Sequence, residues 1–236
     1  MIPFRLNPLG TIMNPEEYTP GMILHYDGIN NTGSGHNPNA VEWEDLSLNG
    51  HTGIISGAVS FTGNGAFFPA IGNYDRMTAQ LTEGLLVGAS NATIELAFMP
   101  SSTTRGYILA KSYNTRGTFM ASTTDYMFDG TNNLSLLNLY AVTPNINTLN
   151  IISIVFDSGV AWCYLNGMLI QTNTGFSEKL GVSTSKMTVG AYAFGNDLVN
   201  YAPFSGMVYS VRIYDKSLSA ADVQRNYLID ASRFGS

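Results

Sequence analysis

The chain has 236 residues, with 17 acidic against 11 basic side chains and a net charge of −6. That balance, with no cluster of Lys and Arg, disfavours a nucleic-acid partner, because phosphate binding needs concentrated positive charge. A single cysteine, Cys163, excludes an internal disulfide framework and reads as a small buried hydrophobe.

Residues 1–20 carry Pro3, Pro8, Pro15 and Pro20 without periodicity, and read as an extended arm in front of one domain over 21–236. The arm has no basic region followed by an apolar stretch, so it is not a secretory signal. No apolar run in the chain approaches the roughly 20 residues of a membrane span. Strands begin at Met22–Tyr26, followed by a loop rich in Gly and Asn, Asp27–Asn39, and a turn-rich connection, Val41–Gly53. Short strands are expected near Ile54–Ile55, Ala58–Phe61 and Ala66–Phe68. The stretch Thr93–Met99 alternates cleanly, with Ile94, Leu96 and Phe98 on one face. Glu95 stands alone on the other and reads as a solvated or paired surface carboxylate. Further strands are expected at Tyr107–Lys111, Thr118–Ala121, Tyr126–Phe128 and Leu134–Tyr140. Asn-x-Ser/Thr sequons at Asn30, Asn91 and Asn133 are read as chance matches in an Asn-rich chain.

The clearest signal lies at Leu149–Thr172, where three apolar runs are split by Asp157-Ser158-Gly159 and Asn166-Gly167. Asn and Gly tolerate the positive φ of a type I′ turn, so this is a three-stranded antiparallel meander. On the strand before Asn166, Ala161, Cys163 and Leu165 point one way, and Trp162 and Tyr164 the other. A sheet with one wet face alternates apolar with polar residues. Here both faces need cover: the second sheet on one side, and a chain segment, a ligand or a partner on the other. Strands at Lys186–Tyr192 and Phe204–Tyr214 follow. One helix is expected, Ser219–Leu228, opened by the variant capping box Ser219-Ala-Ala-Asp222. Many short strands at turn-punctuated spacing make the fold all-β, a two-sheet antiparallel β-sandwich (jelly roll) with one short C-terminal helix.

Three segments resemble the concanavalin A-like lectin/glucanase superfamily in its laminin-G-like (LamG, pentraxin-like) branch. Trp43-x-Asp45-Leu46-Ser47-x-Asn49-Gly50-x-x-Gly53 resembles the early signature of that branch. Trp162-Cys-Tyr164-Leu165-Asn166-Gly167 resembles its central hairpin. Phe204-Ser205-Gly206 with Val211-Arg212-Ile213-Tyr214-Asp215-Lys216-Ser217-Leu218-Ser219 resembles its closing strand. The likeness covers roughly residues 21–230 and implies the sandwich fold, not a particular ligand. Two positions depart from the pattern. Leu48 stands where glycine is usual, and Tyr209-Ser210 replaces an acidic pair. Many relatives hold a structural calcium near these loops, and Asp27 and Asp45 are the carboxylates left to contribute to one. No other cofactor is implied.

Catalytic patterns are not found. The glucanase spacing Glu-x-Asp-x-x-Glu is missing, and its nearest approach, Glu42-Trp43-Glu44-Asp45, falls in an expected turn. There is no Gly-x-Ser-x-Gly elbow. Ser183-x-x-Lys186 leads into a strand where that chemistry needs a helix start. His25, His36 and His51 are scattered, without the spacing of a zinc site. The chain is therefore not expected to be an enzyme.

Binding remains. A sugar offers apolar C–H faces ringed by hydroxyls, so its sites combine aromatic platforms with amides and carboxylates. The loop with Tyr192, Phe194, Asn196, Asp197 and Tyr201 has that mixture, and Tyr113 with Arg116 forms a second candidate. Trp162 and Tyr164 are expected to meet a ligand, the N-terminal arm or a neighbouring subunit. The low charge content, 12%, leaves a polar surface made of Asn, Thr, Ser and Gly, as in lectins, adhesins and virion proteins. The expectation is a bacteriophage virion component, on head or tail, assembled in the host cytoplasm. Its arm would dock on other virion proteins while the sandwich holds a host-surface glycan. Two alternatives stay open: a structural decoration or assembly protein without sugar binding, and an adhesin or carbohydrate-binding module at the cell surface. Neither membrane insertion nor nucleic acid is expected, and a homo-oligomer is an open option.

Overall fold

The computed structural model describes residues 5–6, 12–13, 18–72, 75–113, 116–123, 126–128, 144–175, 178–181, 183, 185–193 and 200–235. The strands are, in chain order, β1 (Arg5–Leu6), β2 (Ile12–Met13), β3 (Met22–Asp27), β4 (Glu42–Trp43), β5 (Gly53–Ser56), β6 (Ser60–Thr62) and β7 (Gly65–Phe68). They continue with β8 (Arg76–Ala79), β9 (Asn91–Pro100), β10 (Tyr107–Tyr113), β11 (Arg116–Ser122), β12 (Tyr126–Phe128) and β13 (Asn150–Asp157). The last are β14 (Val160–Leu165), β15 (Met168–Thr174), β16 (Thr188–Val189), β17 (Tyr192–Ala193), β18 (Asn200–Tyr201) and β19 (Gly206–Tyr214), before helix α1 (Ala220–Phe234). The strand expected at Leu134–Tyr140 lies outside the described residues.

Two antiparallel sheets face each other. A seven-stranded sheet runs β12-β11-β10-β16-β8-β5-β4, and an eight-stranded sheet runs β15-β14-β13-β9-β19-β7-β6 with β3 also paired to β19. The fold is the expected all-β sandwich. Between the sheets lies one apolar core that includes Trp43, Phe61, Phe68, Met77, Ile94, Leu96, Phe98, Ile152, Ile154, Phe156 and Cys163. Burial pushes the Cys163 thiol up to about 12, which keeps it a neutral hydrophobe.

The meander forms as its turns dictate. Ser158 and Gly159 have φ of 44° and 91°, and Asn166 and Gly167 have 49° and 76°, the positive pairs of I′ turns. Asn166 also accepts the Ile151 N–H through its side chain at 2.9 Å, tying the second turn back to β13. Ile152, Ile154, Phe156, Ala161 and Cys163 enter the core, and the opposite face carries Val155, Trp162 and Tyr164.

Helix α1 covers that second face. Val155 and Tyr164 pack with Tyr214, Leu218 and Val223, with Met22 and Trp162 at the margin. Of the expected covers, a chain segment is thus the one that meets Trp162 and Tyr164, and it comes from the C-terminal end of the chain and not from the arm. Ser219 caps α1 by accepting the Asp222 N–H at 3.2 Å, while the Asp222 carboxylate accepts the Ser219 N–H at 3.2 Å. The helix runs to Phe234, six residues past the expected end at Leu228, because Ile229, Asp230 and Phe234 are buried against the sheet. No helix among the described residues is long and apolar enough to cross a membrane.

Under α1 the register lines up Tyr164, Ser153, Glu95, Arg212 and His25 across β14, β13, β9, β19 and β3. Glu95 is therefore buried, not at the surface. Its Oε2 accepts from Arg212 Nε at 3.0 Å and Asn226 Nδ2 at 2.8 Å, and its Oε1 from the Ser153 hydroxyl at 3.0 Å. Arg212, equally buried, reaches the other way to both carboxylate oxygens of Asp230 on the helix, at 2.8 and 2.5 Å. Burial raises the Glu95 carboxyl, and the two anions beside Arg212 hold its guanidinium charged.

The same clasp fixes residues on the arm side of the expected boundary. Tyr18 and Thr19 are buried. The Tyr18 hydroxyl donates to Asp230 at 2.8 Å, and its ring lies 4.1 Å beneath the Arg212 guanidinium. The Thr19 N–H donates to Asn226 at 3.0 Å. Tyr18 and Thr19 thus pack with the body of the domain in this structure.

Candidate functional site

The outer face of the seven-stranded sheet is set by strand alternation. Met77 and Ala79 of β8 enter the core, which turns Arg76 and Thr78 outward. Register then carries one row across the sheet: Glu42, Ile54, Thr78, Thr188 and Ala110.

The Thr188 and Ala110 end of this row is covered by a two-stranded ribbon. After β16 the chain turns at Gly190, whose φ is 85° and whose Hα points into the Phe68 ring, so no side chain fits there. The backbone then passes back over the sheet as β17, and Thr188 donates its hydroxyl to the Ala191 carbonyl at 2.6 Å. β18 returns antiparallel, with Tyr201 opposite Tyr192. The Tyr192 ring lies 5.5 Å from the Tyr107 ring, and the two pack with Ala110 and Ala202. Arg105 caps this corner, its guanidinium 5.1 Å from the Tyr107 ring centre. Both tyrosines are only 6% exposed, so Tyr192 holds the ribbon down and does not present a free ring face.

The Glu42, Ile54 and Thr78 end is open. Ile54 and Glu42 are exposed, Thr78 and Gln80 are half-buried, and Lys186 donates to the Gln80 side-chain oxygen at 2.9 Å. An apolar methyl surface, a hydroxyl, an amide, an ammonium and a carboxylate thus share one strip. That set can receive a C–H face and exchange hydrogen bonds with hydroxyls.

The candidates named from the sequence fall in different places. Tyr192 and Tyr201 frame the ribbon, while Phe194, Asn196 and Asp197 lie outside the described residues. Tyr113 and Arg116 pair at the far end of the β10–β11 hairpin. Six residues of strand, roughly 20 Å at about 3.3 Å each, separate Tyr113 from Tyr107, the residue on which Tyr192 packs. Thr78, Gln80 and Lys186 escaped the sequence reading. β8 is four residues long and has no alternation readable in isolation.

Asp27 and Asp45 do not make a calcium cage. Asp27 Oδ1 accepts the N–H groups of Ile29 and Asn30 at 2.8 and 3.2 Å, and its Oδ2 lies 2.5 Å from the Arg233 guanidinium. Asp45 accepts the N–H groups of His25, Ser47 and His51 at 2.9 to 3.0 Å. A cation needing six to eight oxygens finds these carboxylates already taken by backbone donors and an arginine. Among the described residues there is no group of three or more His, Cys, Asp or Glu suited to a metal. Glu42 belongs to strand β4 and not to a turn, and it points outward while Asp45 is buried.

A family model described as the concanavalin A-like lectin/glucanases superfamily matches residues 72–224, more than half of the chain. The chain belongs to this superfamily. A search of curated proteins returns no match. Among solved structures, the botulinum neurotoxin serotype G binding domain superposes with a TM-score of 0.65 at 16% identity, covering 89% of this chain and 51% of that one. A Trypanosoma rangeli sialidase in complex with sialic acid gives 0.65 at 12% identity, covering 99% and 36%. Domain 4 of AbnA, an extracellular arabinanase from Geobacillus stearothermophilus in complex with arabinotriose, gives 0.59 at 16% identity, covering 87% and 97%. This concanavalin A-like chain thus spans about half of the toxin domain and about a third of the sialidase, but nearly all of the arabinanase domain. At such identities the likeness is one of fold.

Proposed function

We propose that the protein is a non-catalytic glycan-binding sandwich, carried on a bacteriophage particle and docked there through the chain ahead of Tyr18. The match along nearly the whole of an arabinanase domain solved with arabinotriose carries the reading, because that domain is a unit of nearly the same extent as this chain. The open strip Ile54–Thr78–Gln80–Lys186 supports it by offering apolar contact beside hydroxyl, amide and charged groups. Multivalent display on a particle would raise the avidity of a weak sugar site without new contacts.

A glycan array probed with the full chain tests the binding. Selective binding is expected, lost in Ile54→Asp and Gln80→Ala variants of unchanged melting temperature. An array without signal would refute it and favour a structural decoration protein. Release of reducing sugar from the bound glycan would refute the non-catalytic part. For docking, removing residues 1–17 should abolish incorporation into particles while leaving the body folded, since Tyr18 and Thr19 remain in their clasp.

A further inference from the structure

Among the described residues one lysine is buried, Lys111 of β10, with none of its surface exposed. Its neighbour Ala110 packs outward with Tyr107 and Tyr192, so alternation turns Lys111 inward, opposite Phe119. A charge taken out of water is costly unless hydrogen bonds replace its hydration. Here Nζ donates to the backbone carbonyl of Glu83 at 3.0 Å and to that of Ser183. Burial pushes its pKa down to about 8 against the attraction of Glu83, so at neutral pH it is an ammonium. The two carbonyls belong to different loops. Glu83 follows β8, three residues after Gln80, and Ser183 precedes β16, three residues before Lys186. Thr82 joins the same loops from their other side, accepting the Met187 N–H at 2.8 Å and donating to the Ala79 carbonyl at 3.1 Å. Gln80 and Lys186 then meet on the open strip.

We propose that Lys111, on the reading that a glycan lies on this strip, is a positioning residue for it. It does not touch the ligand. By drawing the Glu83 and Ser183 carbonyls onto one cation, it fixes how the Gln80 amide and the Lys186 ammonium stand to each other. Hydrogen bonds from an ionised donor are roughly twice as strong as neutral ones, which suits one side chain to hold two loops. Such coupling is reciprocal: a ligand held across Gln80 and Lys186 must in turn keep Lys111 in its carbonyl seat.

Lys111→Ala in the full chain tests this by nuclear magnetic resonance. The Gln80 side-chain amide signal should move while the amides of β13 and β14 stay in place. Propylammonium chloride matches the part of the side chain removed and should return the Gln80 signal to its wild-type position. 1-Propanol, of the same length without the charge, should not. A Gln80 signal that never moves would overturn the proposal, as would equal rescue by both, which is cavity filling. The wild type gives a readout that needs no variant. Acetylation of Lys111 by acetic anhydride, followed by peptide mass, should slow about tenfold when the strongest glycan of the array is bound. Labelling unchanged by that bound glycan would also overturn it. A Gln80 signal that follows Lys111 in a chain binding no array glycan would uphold the positioning and refute the glycan reading alone.

Discussion

His25 makes the domain sensitive to mild acid. Its ring is buried edge-on against Tyr18 at 5.5 Å, and its Nε2 has no hydrogen-bond partner among the described residues. Burial, with the Arg212 and Arg233 guanidinium groups nearby, pushes its pKa down from 6.5 to about 3, against the weaker pull of Asp230 and Asp45. Below pH 6.5 the unfolded chain binds a proton that the folded chain refuses until about pH 3, so stability falls as acid is added. Each pH unit in that window costs about 1.4 kcal/mol, and lowering the pH from 8 to 5 therefore removes about 2 kcal/mol through this one ring. Urea denaturation of the wild type and of His25→Gln at both pH values measures it. The wild type should lose about 2 kcal/mol more than the variant over the same interval. Equal losses in the two proteins would show that the imidazole takes up its proton without hindrance and would refute the reasoning.

Arg212→Met should cost roughly 3–5 kcal/mol by urea denaturation, because it leaves the Glu95 and Asp230 carboxylates buried without their shared cation. Gly167→Ala should cost about 2 kcal/mol, read as a lowered urea midpoint with an unchanged slope. The added methyl must accept a φ of 76° and would sit 2.5 Å from Gln224 Oε1 and 2.7 Å from Tyr227 Cδ1 of α1. Leu48→Gly should stabilise by about 0.5 kcal/mol, the relief of a left-handed residue less the greater freedom of glycine when unfolded. Leu48 holds φ at 67° with 92% of its surface exposed, so the turn keeps a glycine's backbone without the glycine. A melting temperature that falls in this variant would refute that account.

What could be read in advance was whatever depends on near neighbours. The Asn166-Gly167 hairpin, the Ser219 cap and the alternation of β9 are all written within a few residues, and each appears in the structure as expected. Glu95 was misplaced because the groups that bury it are remote: Arg212 is 117 residues away and Asn226 is 131. The end of α1 was missed for the same reason, since Asp230 belongs in a helix only once Arg212 and Tyr18 are there to receive it. Tyr192 had the right chemistry for a sugar platform. Its ring, however, packs on Tyr107, a residue 85 positions earlier that no local pattern connects to it. The strip beside it is a product of sheet register, which sets Ile54, Thr78 and Thr188 side by side from three separate strands.

The knot of hydrogen bonds around Tyr18 and Thr19 has a mechanical meaning. Tension on the chain ahead of Tyr18 would be received by the helix and the middle of the eight-stranded sheet at once, through Asp230, Asn226 and Arg212. Those attachments must be sheared together before β3, the next strand, can be peeled from β19. A pull from that end would thus load the helix and the sheet together through these contacts.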